Sequence, residues 1–280
     1  MARHIRSTND PSTTATLPKI GRTTAANSTF AAVVAGLCIA YWLVAIGLVL
    51  CCINPTTWLF STLNSDAADS PYSATQLTQL AQVTRGYTVE GMDSDDLYAA
   101  IGNQAKTLSA YTIKTATSGS VTLSRLKKMS DADAGRTLAP HAETLSLPTD
   151  AMTHLNQVHG IFIGAFLVLI ATVIAGICSI VFLLKRSRRS LARALLGAGG
   201  VVLGLFAVAG IWAASDFDTL FAAFHSLFFP AGTWTFDADS LLICMYPESF
   251  WTSMGIVWGV VTAIACLVTL SIGSRTKRNA

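Results

Sequence analysis

Four stretches of this sequence, near Phe30 to Ile53, Val158 to Leu184, Leu191 to Ala213 and Thr252 to Gly273, are long and apolar enough to cross a hydrocarbon core. Such a crossing takes about 20 helical residues at about 1.5 Å rise each. Backbone at that depth has no water to bond and satisfies its N–H and C=O groups only as helix. The chain is therefore read as an all-α membrane protein with four transmembrane helices. Only 12% of its residues are charged, about half the share of an ordinary soluble domain. The net charge is +3, and no Lys/Arg-dense run is interleaved with aromatics, so a nucleic-acid partner is excluded.

Orientation follows from the cations. Arg3, Arg6, Lys19 and Arg22 precede the first span, Lys185, Arg186, Arg188, Arg189 and Arg193 join the second to the third, and Arg275, Lys277 and Arg278 follow the fourth. The segment between the third and fourth spans has only acids: Asp216, Asp218, Asp237, Asp239 and Glu248. The positive-inside rule then places both termini and the link 185–190 in the cytoplasm of a plasma membrane. Residues 1–29, rich in Ser, Thr and Ala, read as a disordered tail, and 274–280 as a short one. The two outer segments are 54–157, a small, mostly helical extracytoplasmic cap, and 214–251, an interfacial loop.

Within the cap, Gln76 to Val83 and Ser94 to Ala110 have helical apolar spacing, while Tyr111 to Leu123, rich in Thr, Ser and Val, reads as a possible strand. None of the six cysteines lies there, so it is not a disulfide scaffold. Cys51 and Cys52 end the first span; Leu50 before them is bulky where a lipid-attachment signal has a small residue, and they read as buried thiols. Gly200 and Gly204 in the third span have the small-xxx-small spacing that permits close helix approach.

Three of the five histidines, His154, His159 and His225, fall at the outer membrane boundary. Pro148 and Thr149 start a helix that continues into the second span, which puts His154 about one turn above the apolar edge. Asp150, four residues earlier, is spaced to hold one imidazole nitrogen. The second outer segment carries Phe217, Leu220, Phe221, Phe224 and Phe228 at helical spacing, the mark of an amphipathic helix lying in the interface. His225 borders that face. Asp239 is a further candidate partner, and Trp234, Phe236, Tyr246 and Trp251 line the return to the fourth span. Two histidines at one depth, each with a carboxylate nearby, are what a general acid and base acting on a lipid headgroup would need. No serine nucleophile elbow, metal-ligand spacing or nucleotide fingerprint is present, so neither cofactor nor metal is expected. No span carries an acidic or basic residue in its apolar middle, which disfavours a proton-coupled transporter. The alternative is a non-catalytic membrane module whose cap binds a partner protein.

The string from Phe224 to Phe236, with Asp239 to Leu242 and Tyr246 to Trp251 after it, resembles a bacterial integral membrane family that includes the lipoprotein intramolecular transacylase. The resemblance runs over roughly residues 30–273. In that family a His-hydrophobic-x-Asp-Val motif leads the second span; here it reads His154-Leu155-Asn156-Gln157-Val158, with Gln157 in place of the acid. The resemblance implies a membrane enzyme with two catalytic histidines, His154 and His225, in an aromatic pocket between cap and membrane. It further implies a diacylglyceryl lipoprotein substrate whose sn-2 acyl chain moves to the amine of its own N-terminal cysteine.

Overall fold

The computed structural model describes residues 20–119 and 121–280, with side chains from Ala26 onward. Most of the tail expected over residues 1–29 therefore lies outside the described residues, and from Ile20 the chain is already helical. The helices follow as α1 (Ile20–Cys52), α2 (Asn54–Asn64) and α3 (Ala74–Arg85), a π-turn at Gly86–Glu90, then α4 (Ser94–Lys106), α5 (Ala110–Ala116), α6 (Leu123–Leu126), α7 (Asp131–Leu138), α8 (Thr149–Arg186), α9 (Arg188–Ser215), α10 (Phe217–Ser226), α11 (Leu241–Met245) and α12 (Glu248–Arg278). The strand expected near Tyr111 to Leu123 is absent: Ser109 accepts the Thr112 N–H and starts a helix there, and no strand occurs among the described residues.

Four helices, α1, α8, α9 and α12, have the length and hydropathy of membrane spans. The protein is thus a multi-pass membrane protein. They pack as a bundle in which α12 lies along α9, and α1 touches the other three. Several polar atoms within it pair across helices, as an apolar solvent favours, although the buried Thr262 hydroxyl of α12 has no hydrogen-bond partner among the described residues. Tyr41 donates to the Ala165 carbonyl at 2.6 Å, Trp42 Nε1 to Thr172 at 3.2 Å, and Trp258 Nε1 to the Val44 carbonyl at 2.9 Å. The glycines that permit close approach are Gly47 against Trp258, Gly176 against Trp42 and Gly199 against Leu270. The expectation for Gly200 and Gly204 is corrected: among the described residues nothing packs on either, because that side of α9 faces outward.

α8 has 38 residues, about 57 Å at about 1.5 Å each, nearly twice a hydrocarbon core. Its first turns therefore stand clear of the span and enter a head built from α2 to α7 and α11. One apolar core runs through this head, from Leu77, Leu80, Leu97, Ile101, Ile113 and Leu138 to Met152 and Leu155 of α8 and Phe250 and Met254 of α12. Each fully buried Leu or Ile there stabilises by about 1.5–3 kcal/mol. α4 and α7 cross so closely that a side chain at Gly102 would strike the Asp131 carbonyl, and one at Gly135 the Tyr98 carbonyl. The π-turn docks on α8 through Tyr87, which donates to Asn156, and through His159, whose Nδ1 donates to the Thr88 carbonyl at 3.0 Å.

Candidate active site at the head–bundle junction

His154 stands on the second turn of α8, its side chain buried against the head core. His225 comes from α10, the short helix that follows α9. Asp216 starts α10 by accepting the N–H and hydroxyl of Thr219 at 3.0 and 2.5 Å, a cap of ordinary type. The two imidazoles, 71 positions apart in the numbering (225 − 154), lie with ring centroids 6.3 Å apart and planes within 27°.

Their surroundings are aromatic. Phe229 sits edge-on to His154 at 4.6 Å and 5.7 Å from His225, and Phe236 lies 5.8 Å from His154. Trp234 lies nearly parallel to His225 at 4.8 Å, and Phe221 covers the same ring at 4.0 Å. Two nitrogens here are buried without a hydrogen-bond partner among the described residues: His154 Nδ1 and Trp234 Nε1. A buried indole N–H is a donor only, and leaving it unpaired costs about 1–3 kcal/mol.

His225 Nδ1 lies 2.9 Å from the Phe221 carbonyl. A carbonyl only accepts, so the proton is on Nδ1, and Nε2 of the neutral ring keeps its lone pair. Burial holds the His225 pKa below the ordinary histidine value, against a smaller upward pull from the Phe221 carbonyl. The ring is thus neutral near pH 7.

The carboxylates expected to orient the two rings do not. Asp150 is exposed and accepts the Ala151 N–H at 3.0 Å at the start of α8. An exposed first-turn carboxylate keeps its water and the positive end of the helix dipole, whereas His154 faces the core. Asp239 lies instead with Glu143 and Asp237, the three carboxylates within 4.8 Å of one another. Burial, then the Asp237 charge beside it, raises the Glu143 pKa. Sequence spacing gave no sign of this group; two of its three members are exposed.

The aromatic residues divide in two. Trp234 and Phe236 are at the imidazoles. Phe224 borders His225 edge-on at 5.8 Å and turns largely outward, and Phe228 touches Phe224 and Phe229 but neither histidine. Trp251 reaches the site through Phe221 at 6.0 Å. Tyr246 is buried and donates to the Ala81 carbonyl at 2.5 Å, so it ties α11 to α3 and does not line the pair. Phe229, absent from the sequence-derived set, touches both rings. Helical spacing carried past Ser226 had selected Phe228, but α10 ends there, and the Phe229 N–H closes on the His225 carbonyl at 2.9 Å, turning Phe229 inward. His159, the third boundary histidine, serves the docking of the π-turn and not this site.

A family model described as lipoprotein intramolecular transacylase Lit matches residues 92–251. A solved structure of the membrane integral lipoprotein intramolecular transacylase Lit from Bacillus cereus superposes with a TM-score of 0.61 at 18% identity, covering 93% of this chain and 100% of that one. A histidine-to-arginine variant of that Bacillus cereus protein gives 0.57 at 17% identity, covering 92% and 94%. At these identities the likeness is one of fold. No protein of curated function is found to match.

Proposed function

The chain belongs to the lipoprotein intramolecular transacylase family, and we propose that it moves an acyl chain within a diacylglyceryl lipoprotein, from the glyceryl sn-2 ester to the amine of the N-terminal cysteine. The observation that carries this reading is the pairing of His154 with His225 at 6.3 Å, in an aromatic site where the head meets the spans. Histidines of a purely structural module would be saturated by protein partners. Here one buried nitrogen of His154 has none among the described residues, and the Phe221 bond leaves His225 Nε2 as a lone pair.

In the proposed step the cysteine nitrogen attacks the ester carbonyl carbon. The N–C bond forms, the C–O bond to glycerol breaks, the amine loses a proton and the glyceryl oxygen gains one. His225 Nε2 takes the amine proton, while His154, whose pKa burial and then the charge of His225 lower to about 4 so that it is neutral near pH 7, donates its own ring N–H to the departing oxygen in the same concerted shift. Return of the first proton to His154 closes the cycle with no net change. Each transfer of this type contributes about 10² to 10⁴ in rate, and ester and amine of one molecule need no second encounter. Trp234 Nε1–H, near His225 and without a partner, is the donor for the oxyanion on the carbonyl oxygen. Gln157 stands where the family has an acid. It is exposed on α8, and the mechanism gives it no proton to carry.

The proposal includes a topology: the head and α10 outside the cytoplasm, both termini and the α8–α9 link within it. A maleimide probe that does not cross membranes should reach a cysteine at exposed Ser118 in the head and not one at exposed Asn279. The activity is tested by mass spectrometry of lipoprotein N-termini from cells with and without this chain. An N-acyl, lyso-glyceryl species is expected only with it; unchanged diacylglyceryl lipoprotein at good expression would refute the reading.

A further inference from the structure

α2 is folded the wrong way round for a helix in water. Its inward side carries Thr57 and Ser61, both buried, beside a single apolar residue, the half-buried Phe60, with Asn64 bonded to the Phe60 carbonyl and to Ser253 of α12. Its outward side carries Trp58, Leu59 and Leu63, exposed by 54%, 44% and 69%. The helix has no charged residue. In water such a helix would gain by rolling its apolar side inward; it is stable as found only where the medium outside is itself apolar.

We propose that the outward face of α2 is seated in bilayer lipid, so that the head enters the membrane through a second interfacial helix beside α10. Three observations select lipid over a second copy or a partner protein. First, α2 begins directly after Ile53, one residue beyond α1, and its outer face continues the exposed Val49, Leu50 and Ile53 at the end of that span. Second, the one hydroxyl among the outward residues, Thr62, donates to the Trp58 carbonyl at 2.7 Å within its own helix, so the face offers hydrocarbon no unpaired hydroxyl. Third, an outward indole on a helix with polar Asn54 and Asn64 at its ends suits the boundary between hydrocarbon and headgroups.

The inference is independent of the acyl-transfer reading and changes where the head stops. Residues 54–64 belong to the membrane, and the water-facing part of the head starts beyond them. α2 and α10 then flank the first turns of α12, which Asn64 meets at Ser253 and Phe221 at Trp251.

The test is a photo-crosslinking scan of the full chain in its native membrane, with p-benzoyl-phenylalanine placed singly at Leu59, at Leu63, at Val49 of α1 and at Tyr111 of α5. All four positions are exposed, so folding is not at stake. Phospholipid-mass adducts are expected at Leu59 and Leu63 with yields within about twofold of Val49, and none at Tyr111. Probes at Leu59 and Leu63 that stay unmodified like Tyr111 would overturn the proposal. Crosslinks there to a second copy or to another protein would overturn it equally.

Discussion

The two histidines are held by opposite kinds of structure. His154 projects from a 38-residue helix whose neighbours Ala151, Met152 and Leu155 are buried in the head core. His225 rides on a ten-residue helix without a single buried residue, attached mainly along α9 and by ring contacts to α12. One ring is fixed by packing. The other is fixed by its own helix, through the Phe221 carbonyl, and by the rings laid over it. In the proposed reaction the acyl chain reaches this pair from lipid, and the lightly anchored α10, with Phe224 on it and Leu227 and Phe228 just past its end turned outward, is the side that can yield to it.

The sharpest way to break this contrast is through stability. Ile101, fully buried in the core that supports His154, should lose about 2–5 kcal/mol when replaced by Ala, read as a fall in Tm in detergent. Leu227→Ala at the C-terminal end of α10, 75% exposed, should stay within about 0.5 kcal/mol; equal losses would mean that this end of α10 is as firmly packed as the head core. Next in size is Trp234→Phe. It keeps a ring beside His225 but removes the N–H, and kcat should fall about 10² with KM within about twofold, a split that mere loss of packing would not produce.

The pH dependence sharpens the electrostatic half of the contrast. Because burial lowers the His225 pKa, the ring stays a competent base below the ordinary histidine value of about 6.5. Followed by NMR in the resting protein, the His225 ring should stay neutral from pH 7 down to that value and take a proton only beneath it, where the Nε2 lone pair is lost. A His225 titration centred above about 6.5 would contradict its role as the base. The smallest effect is expected at Asp150. Its carboxylate accepts the Ala151 N–H in the first turn of α8 and makes no hydrogen bond to His154 among the described residues, so Asp150→Asn should keep activity within about twofold. A loss near that of His154→Ala would return Asp150 to the mechanism.

The same contrast explains what could be read from the chain alone. The spans were legible because lipid imposes one rule on some twenty consecutive residues, and the helices found there run over all four stretches. The two histidines and the aromatic face of α10 were legible because their pattern is local. Phe229 was not, since its inward turn depends on where α10 stops. Nor was the role of Asp150, because spacing says that a carboxylate and an imidazole share a helix face but not that one is solvated and the other buried. The Glu143, Asp237 and Asp239 group joins segments distant in the chain, which no period reveals. α2 escaped notice for a physical reason: in Asn-Pro-Thr-Thr-Trp-Leu-Phe-Ser-Thr-Leu-Asn the apolar positions are plain, but which side they face is set by α3 and α12.

Whether the two rings act on one substrate is decided by a double-mutant comparison. N-acyl lipoprotein formed by the wild type, His154→Ala, His225→Ala and the double variant should be quantified by mass spectrometry at matched levels of correctly folded protein. Each single variant is expected to lose about 10² to 10⁴ in rate, and the double variant to lose little more, because groups that serve one transfer fail together. Undiminished product in either folded single variant, or losses that multiply in the double, would contradict the two-histidine account.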